Sequence, residues 1–471
     1  MFDSAKSALE YLKRNDVVMV DLKIVGLAGE WLHVSIPKRE FTQKFFEEGV
    51  GYDGSSVPGF SRLESGDLAA RPDPSSAFMD PFFERPTLSF ICNTVLADTK
   101  EPYDKDPRGV AQRAEALPAQ SGVGDRAWFA PEFEFNVFDG VHLKEETFHT
   151  SVRIVADRDI DAGLGYEIPA QRGYMRTPPL DWTHNLRTRI VEELENMNVP
   201  VHYHHHEVGA AGQCEIEIAL DTLTRVADKT MLIKYVTKNV ARLNKKIATF
   251  MPKPVFGAAG NGMHVHQKLD RGDQPLFYDE TGQNYARLST LALQYVSGLL
   301  LHGRALTGLT NPSTNSFKRL VPGFEAPVNL FFSEANRSAA IRVPGYAVRP
   351  EDKRIEYRPP DFTGNIYLTL AGMLMAGLDG IGQQLRPEDH NFGPYDTDIS
   401  AAKDLQEGLT SVPSSVAEAM AALSQDREFL LAHGVFSNGL IESWVDLKLN
   451  REARAVEVRP HPYEYQLYLD T

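Results

Sequence analysis

Cysteine is almost missing: the 471 residues contain two, Cys92 and Cys214. So few thiols argue against a disulfide framework and fit a reducing compartment. No run of 18 apolar residues occurs, so no membrane-spanning helix is expected. The opening residues, MFDSAKSALEYLKRND, lack the basic-then-apolar pattern of a signal peptide. A cytoplasmic protein is the expectation. Basic charge is also short: 49 Lys and Arg stand against 64 Asp and Glu, a formal net charge of −15. That disfavours nucleic acid, which needs a basic face. Internal repeats and low-complexity tracts are absent. So is a G-x-x-x-x-G-K-[ST] phosphate loop, and Gly257-Ala-Ala-Gly260-Asn-Gly262 leads into a strand instead of a helix, unlike a dinucleotide fingerprint. If ATP binds, metal bridging and arginines must hold it.

What remains is an ordinary globular composition, 42% apolar and 24% charged, long enough for a substantial core. The first hundred residues read as a small α+β unit. Strands over 17–25 and 31–36 form a hairpin around Gly26 and Gly29, a short helix covers 38–48, and a further strand covers 86–97. The Gly-, Ser-, Pro- and Asp-rich stretch 49–81 reads as irregular. Asp106-Pro107 is a helix start, with Asp as cap and Pro at the first helical position, so the domains divide as 1–105 and 106–471. Beyond it strands and helices alternate. The clearest helix spans 223–247, with Ile233, Val236, Val240, Leu243 and Ile247 on one buried stripe. Other helices are expected over 183–198, 285–309, 365–381 and 413–423.

Four segments concentrate carboxylates and imidazoles. In Ala130-Pro-Glu132-Phe-Glu134-Phe, strand alternation puts Glu132 and Glu134 on one face and Phe133 and Phe135 on the other. The second is His204-His-His-Glu207, followed by Glu215 and Glu217 in Gln213-Cys-Glu-Ile-Glu. The third is Gly262-Met-His264-Val-His266, and the fourth Arg354-Ile-Glu356-Tyr-Arg358. Any one of them could be a solvated strand face; four together are harder to dismiss. Crowded carboxylates repel and need counter-charge. Carboxylate oxygens with a single imidazole suit Mg²⁺ or Mn²⁺ rather than a thiolate-rich zinc site. Arg319, Arg337, Arg342 and Arg358 supply forks for carboxylate or phosphate.

These segments resemble the type I glutamine synthetase family. Tyr52-Asp-Gly-Ser-Ser56, His205-His-Glu-Val, Met251-Pro-Lys-Pro with Gly262-Met-His-Val-His, Lys318-Arg-Leu-Val-Pro-Gly-Phe-Glu-Ala-Pro327, Asn336-Arg-Ser338 and Ala376-Gly-Leu-Asp-Gly-Ile381 occur in the family's order, as far as His461-Pro-Tyr-Glu. The resemblance implies an α+β fold: a small β-grasp-like N-terminal domain, then a large catalytic domain with an antiparallel half-barrel sheet and flanking helices. It implies ATP-dependent joining of ammonia to glutamate, two or more Mg²⁺ or Mn²⁺ ions, and a dodecamer of two hexameric rings with active sites between subunits. It assigns one metal to Glu134, Glu207 and Glu215, and another to Glu132, His264 and Glu356. Arg319, Arg358, Gly260 and His266 fall at glutamate positions, and Arg337, Arg342, Arg354 and His266 at nucleotide or phosphoryl positions. Asp53, from a neighbouring subunit, would deprotonate ammonium, and Glu325 would sit on a closing flap.

The chain departs from the family at Ala259, Lys268, His202 and Glu351, where Asn, Ser, Glu and Lys are usual. Tyr395-Asp396 keeps only two residues of the motif in which some members are adenylylated. The competing readings are a γ-glutamyl ligase for another amine, such as a polyamine, and a non-catalytic regulatory or structural paralogue. An intact Asp53-Gly-Ser-Ser speaks against the first and the full metal set against the second.

Overall fold

A computed structural model describes residues 2–61, 66–156, 168–210, 212–321, 326–334, 336–397, 399 and 408–471. The N-terminal sheet contains β1 (Met19–Val25), β2 (Trp31–Pro37), β3 (Val50–Asp53), β4 (Asp67–Pro72), β5 (Phe78–Met79) and β6 (Thr87–Leu96). Its order is β2-β1-β6-β4-β3, with β5 also on β6. The β1–β2 pair is the expected hairpin, and β1–β6 is parallel. The expected irregular stretch instead supplies strands β3 and β4, which pair antiparallel. Gly51, Asp53, Asp67, Ala69 and Ala70 dilute Val50, Tyr52 and Leu68, so the strand signal is weak there. The helix expected over 38–48 is confined to Gln43–Glu48.

The larger C-terminal unit contributes β7 (Arg126–Phe138), β8 (Gly140–Glu146), β9 (His149–Val155), β10 (Val201–His206), β11 (Gln213–Ile218), β12 (Asp221–Thr222), β13 (Ile247–Thr249), β14 (Val265–Arg271), β15 (Gln274–Pro275), β16 (Asn329–Ser333), β17 (Ala339–Arg342) and β18 (Ile355–Tyr357). The main sheet runs β10-β11-β7-β14-β18-β17-β16, antiparallel except for the β16–β17 pair. The central strand β7 buries Phe129, Phe133, Phe135 and Val137 against the helical layer. Alternation then forces Glu132 and Glu134 onto the opposite, concave face.

Helices back this sheet. Pro107–Gln120 starts as expected: the Asp106 carboxylate accepts the Gly109 N–H. The same oxygen also accepts from Thr94 N and Asn93 Nδ2, tying helix start to β6. Two residues on, buried Arg108 bridges Asp73 in the N-terminal unit and Asp228 in the C-terminal unit, at 2.7 and 2.8 Å. Helices Thr290–Leu301 and Ile366–Gly382 cross closely because Gly298 and Gly380 meet there. A Cβ on Gly298 would lie 2.1 Å from the Ala376 carbonyl oxygen.

Two further helix expectations need correction. The long helix ends at Leu243, Lys245 turns left-handed at φ 57°, and Ile247 begins β13 on the edge of β7. Ile233, Val236 and Val240 are buried as the stripe requires, whereas Leu243 is 74% and Ile247 41% exposed. The helix expected over 285–309 is a short turn at Tyr285–Arg287 followed by Thr290–Leu301 and Gly303–Thr310.

His302 sits at the break between those two helices. Its Nδ1 meets Asp426 at 2.8 Å, its Nε2 meets Asp379 at 2.9 Å, and its ring stacks on Phe429. Burial works against its charge, but the two carboxylates prevail and push its pKa up to about 9 from an ordinary 6.5. A raised pKa means that stability is fully present below about pH 6.5 and is lost as pH rises through 9. The shift corresponds to about 3 kcal/mol. Because Asp426 is 43% exposed, solvent screening reduces this to ~1–2 kcal/mol. Urea midpoints should therefore fall between pH 6.5 and 9.5 in the wild type, and the His302→Gln protein should lack that component.

Candidate active site

The concave face is built by register. Glu215 faces Glu134 and Glu217 faces Glu132 across β11–β7. On the other side His266 faces Glu356 across β14–β18, and Glu356 faces Arg342 across β18–β17. On the outer strand His205 faces Glu215. Cross-strand neighbours bring side chains within about 5 Å, so β7, β11 and β18 deliver acids, and β10, β14 and β17 imidazoles and a guanidinium, to one continuous patch.

The patch has two ends of different electrostatic character. At one end Glu132 accepts from both imidazoles, His264 Nδ1 at 2.7 Å and His266 Nε2 at 2.9 Å. Glu356 accepts from Arg342 Nη1 at 2.9 Å and Arg358 Nη1 at 2.6 Å, with His264 Nδ1 3.6 Å away. Burial favours protonation of these acids, but the hydrogen bonds from the imidazoles hold Glu132 well below the usual carboxylate range. Arg358 and the two histidines likewise hold Glu356 down against burial and the Glu132 charge. Both stay anionic.

At the other end counter-charge is short. Among the described residues, Glu207 and Glu215 lie together with His205, at 3.8 and 3.7 Å, as their one imidazole neighbour. Burial first, then the Glu134 charge, pushes Glu207 up to about 7. Burial followed by Glu132, Glu134 and Glu207 pushes Glu215 well above its usual range. Acids in this state demand a proton or a cation. Ligand atoms of His205, Glu207 and Glu215 lie within 4.8 Å of one another, as do those of Glu132, His266 and Glu356, and those of Glu132, Glu215 and Glu217. A donor set of carboxylate oxygens with isolated imidazoles fits a hard divalent cation.

Glu134 is oriented by the Gly262 N–H at 2.8 Å, and its other oxygen lies 4.0 Å from His264 Nδ1. Beside it lies a cavity of about 230 Å³ lined by Glu134, Glu207, Gly260, His264, Arg319 and Arg358, among others. Buried Arg319 is clamped by the carbonyls of Pro359, Pro360 and Arg358. The loop before β14 must be glycine-rich to pass it: a Cβ on Gly260 would lie 2.8 Å from Arg319 Cγ, and one on Gly262 2.6 Å from Nη2. Buried Nε groups of Arg342 and Arg358 have no acceptor among the described residues, which suits an anionic ligand.

The remaining sequence-expected residues are spread around this patch. Arg337 is exposed and hydrogen-bonded to Tyr174, itself within electrostatic reach of Glu207 and Glu215. Arg354 Nε points to His266 Nδ1 at 3.4 Å. Asp53 is exposed at the end of β3 and does not line the cavity. Its carboxylate accepts from Ser55 and Ser56, whose hydroxyls hold its pKa below the ordinary value. Glu325 lies outside the described residues. The departures Lys268 and Glu351 meet: Lys268 Nζ donates to the Glu351 carbonyl at 2.9 Å. Tyr395 packs on Phe331 and its hydroxyl bonds Asn391. Sequence reading gave no role to His205 or Glu217, although cross-strand spacing from Glu215 and Glu132 places both on the patch. Glu217 is buried and accepts the Tyr203 hydroxyl.

Fold and site together define a two-domain α+β protein whose half-barrel presents a carboxylate–imidazole patch able to hold divalent cations. Family models agree: "glutamine synthetase, beta-Grasp domain" matches residues 16–97, and "glutamine synthetase, catalytic domain" matches 104–468. The chain belongs to the glutamine synthetase family. It is 43% identical to the glutamine synthetase of Streptomyces viridochromogenes over the full length of both, and 41% to that of Aquifex aeolicus, covering 99% and 98% of the two chains. Among solved structures, Plasmodium falciparum glutamine synthetase superposes with a TM-score of 0.89 at 26% identity, covering 99% of each chain.

Proposed function

We propose that this protein forms L-glutamine from L-glutamate, ammonia and ATP through γ-glutamyl phosphate, releasing ADP and phosphate. The carrying observation is the two-ended acid patch, flanked by arginines with unpaired buried donors and adjoining a small cavity. A carboxylate is a poor acceptor for an amine because oxide would have to leave. Attack of a γ-carboxylate oxygen on the terminal phosphorus of ATP expels ADP and makes phosphate the later leaving group. Such transfer needs positioning and charge neutralisation above all.

In this reading Glu134, Glu207 and Glu215 hold one divalent cation and Glu132, His264 and Glu356 a second, as Mg²⁺ or Mn²⁺. When bound, these ions would offset the negative charge of the phosphates and carboxylates. Arg319, Arg358, Gly260 and His266 hold glutamate. Arg337, Arg342 and Arg354 take the phosphates. Asp53, contributed by a neighbouring subunit, binds ammonium and accepts its proton, so that the freed lone pair attacks the acyl carbon and phosphate leaves. Glu325 covers the intermediate against water, which an acyl phosphate requires. The domains divide at 105/106, the assembly is a dodecamer, and the setting is cytoplasmic. Among the described residues no helix is long and apolar enough to cross a membrane. Exposed Tyr463, Tyr465, Tyr468 and Leu469 at the C-terminus favour burial against another subunit.

The test is phosphate release from ATP by the purified protein with glutamate, comparing ammonia with a panel of amines. Ammonia is expected to be preferred, and preference for a bulkier amine would contradict the reading. Dialysis against EDTA should abolish turnover, and Mg²⁺ or Mn²⁺ should restore it. Full turnover in a metal-free preparation would refute the cation assignment. A monodisperse monomer in light scattering would refute the dodecamer.

A further inference from the structure

Tyr346 lies on the segment that joins β17 to β18, between Arg342 and Arg354. Its ring serves both guanidiniums. Arg342 Cζ is 5.9 Å and Arg354 Cζ 5.3 Å from the ring centroid, inside cation–π range. Arg354 Nη2 also donates to the Tyr346 hydroxyl at 3.4 Å. Each guanidinium is held at a second edge as well. Arg342 Nη1 is on Glu356 at 2.9 Å, while Arg354 bonds the Asp352 carbonyl at 3.1 Å and His266 at 3.4 Å. Two cations drawn to one ring, beside the carboxylate patch, make a forked anion receptor. Tyr346 as a residue is 58% exposed, so it is not part of the core.

We propose that Tyr346 is a positioning residue for the nucleotide: its ring holds Arg342 and Arg354 in the paired arrangement that clasps the phosphates. The inference rests on the reading that ATP is the co-substrate. The physical reason is entropic and electrostatic. Two like-charged, long side chains repel each other and have many rotamers, and the electron-rich ring face attracts both. Without the ring each arginine keeps only its other contacts, so more of the ordering falls on the binding event, which weakens affinity.

The test compares Tyr346→Ala with Tyr346→Phe in the intact oligomer. Calorimetry with magnesium and a non-hydrolysable ATP analogue reads nucleotide binding without turnover, and steady-state assays read KM for ATP and for glutamate separately. Tyr346→Ala is expected to weaken nucleotide binding about tenfold, as loss of two exposed cation–π contacts implies, and to raise KM for ATP in parallel. KM for glutamate should stay within about twofold of wild type, as should nucleotide affinity in Tyr346→Phe, because the ring is what the proposal requires. Wild-type nucleotide affinity in a folded Tyr346→Ala protein would overturn the proposal. So would a Tyr346→Phe protein as weak as Tyr346→Ala. A wild type that binds the analogue yet forms no glutamine would sink the proposed reaction while leaving the role of Tyr346 readable.

Discussion

Glu356→Ala is expected to reduce glutamine formation by ~10³-fold or more, from the combined loss of charge neutralisation and orientation at the reacting phosphate. Glu356 is the hub of its end of the site. It pairs with Arg342 and Arg358 and lies 3.6 Å from His264. Removing the carboxylate leaves two guanidiniums without their anion, one of them buried, and strips one ligand from the proposed cation. Breaking a buried ion pair costs about 3–5 kcal/mol, so stability must be measured beside activity. Glu356→Gln separates the two effects. It keeps the size and a hydrogen-bond acceptor for an arginine, and loses the negative charge. Activity should stay near the alanine level while much of the stability returns. Substantial turnover in either protein would remove Glu356 from the chemistry.

Asp53→Asn should act at the other half-reaction. The change keeps the size and removes the charge that would draw in ammonium and accept its proton. A catalytic base contributes ~10²–10⁴-fold, and the loss should fall on glutamine formation. Hydroxylamine is already neutral at pH 7 and should be used relatively better. The geometry adds a second expectation. Asp53 is exposed on the N-terminal unit and does not line the cavity of its own chain. If a neighbour supplies it, oligomers mixed from Asp53→Asn and Glu356→Ala chains should regain some active sites, each with an intact Asp53 from one chain and an intact Glu356 from the next. Mixed oligomers, verified by mass, with no activity above either parent would place Asp53 outside the shared site.

Much of the patch was legible because strand alternation is a strong local rule. Glu132 and Glu134 had to share a face once Phe133 and Phe135 were taken into the core, and the structure puts them so. The pairing partners were not legible. That Glu215 stands opposite Glu134, and Glu356 opposite His266, depends on register between strands far apart in the chain. The same blindness left His205 and Glu217 without a role. An apolar residue can continue the helical period past a backbone break, as Ile247 does beyond Lys245, so the period alone does not mark the helix end. Strands β3 and β4 are hard to read locally because Gly, Asp and Ala carry little strand signal, although β4 is largely buried beside β6. Helix–helix crossing at Gly298 and Gly380 is likewise a tertiary fact that no local pattern announces.

Glutamate should be activated by phosphorylation before ammonia attacks. Oxygen transfer tests it most directly. With ¹⁸O in both γ-carboxylate positions of glutamate, phosphorylation carries one labelled oxygen onto phosphorus, and attack by ammonia then expels it in phosphate. Mass spectrometry should find one ¹⁸O in each phosphate released with glutamine. Unlabelled phosphate accompanying glutamine formation would contradict the acyl phosphate route.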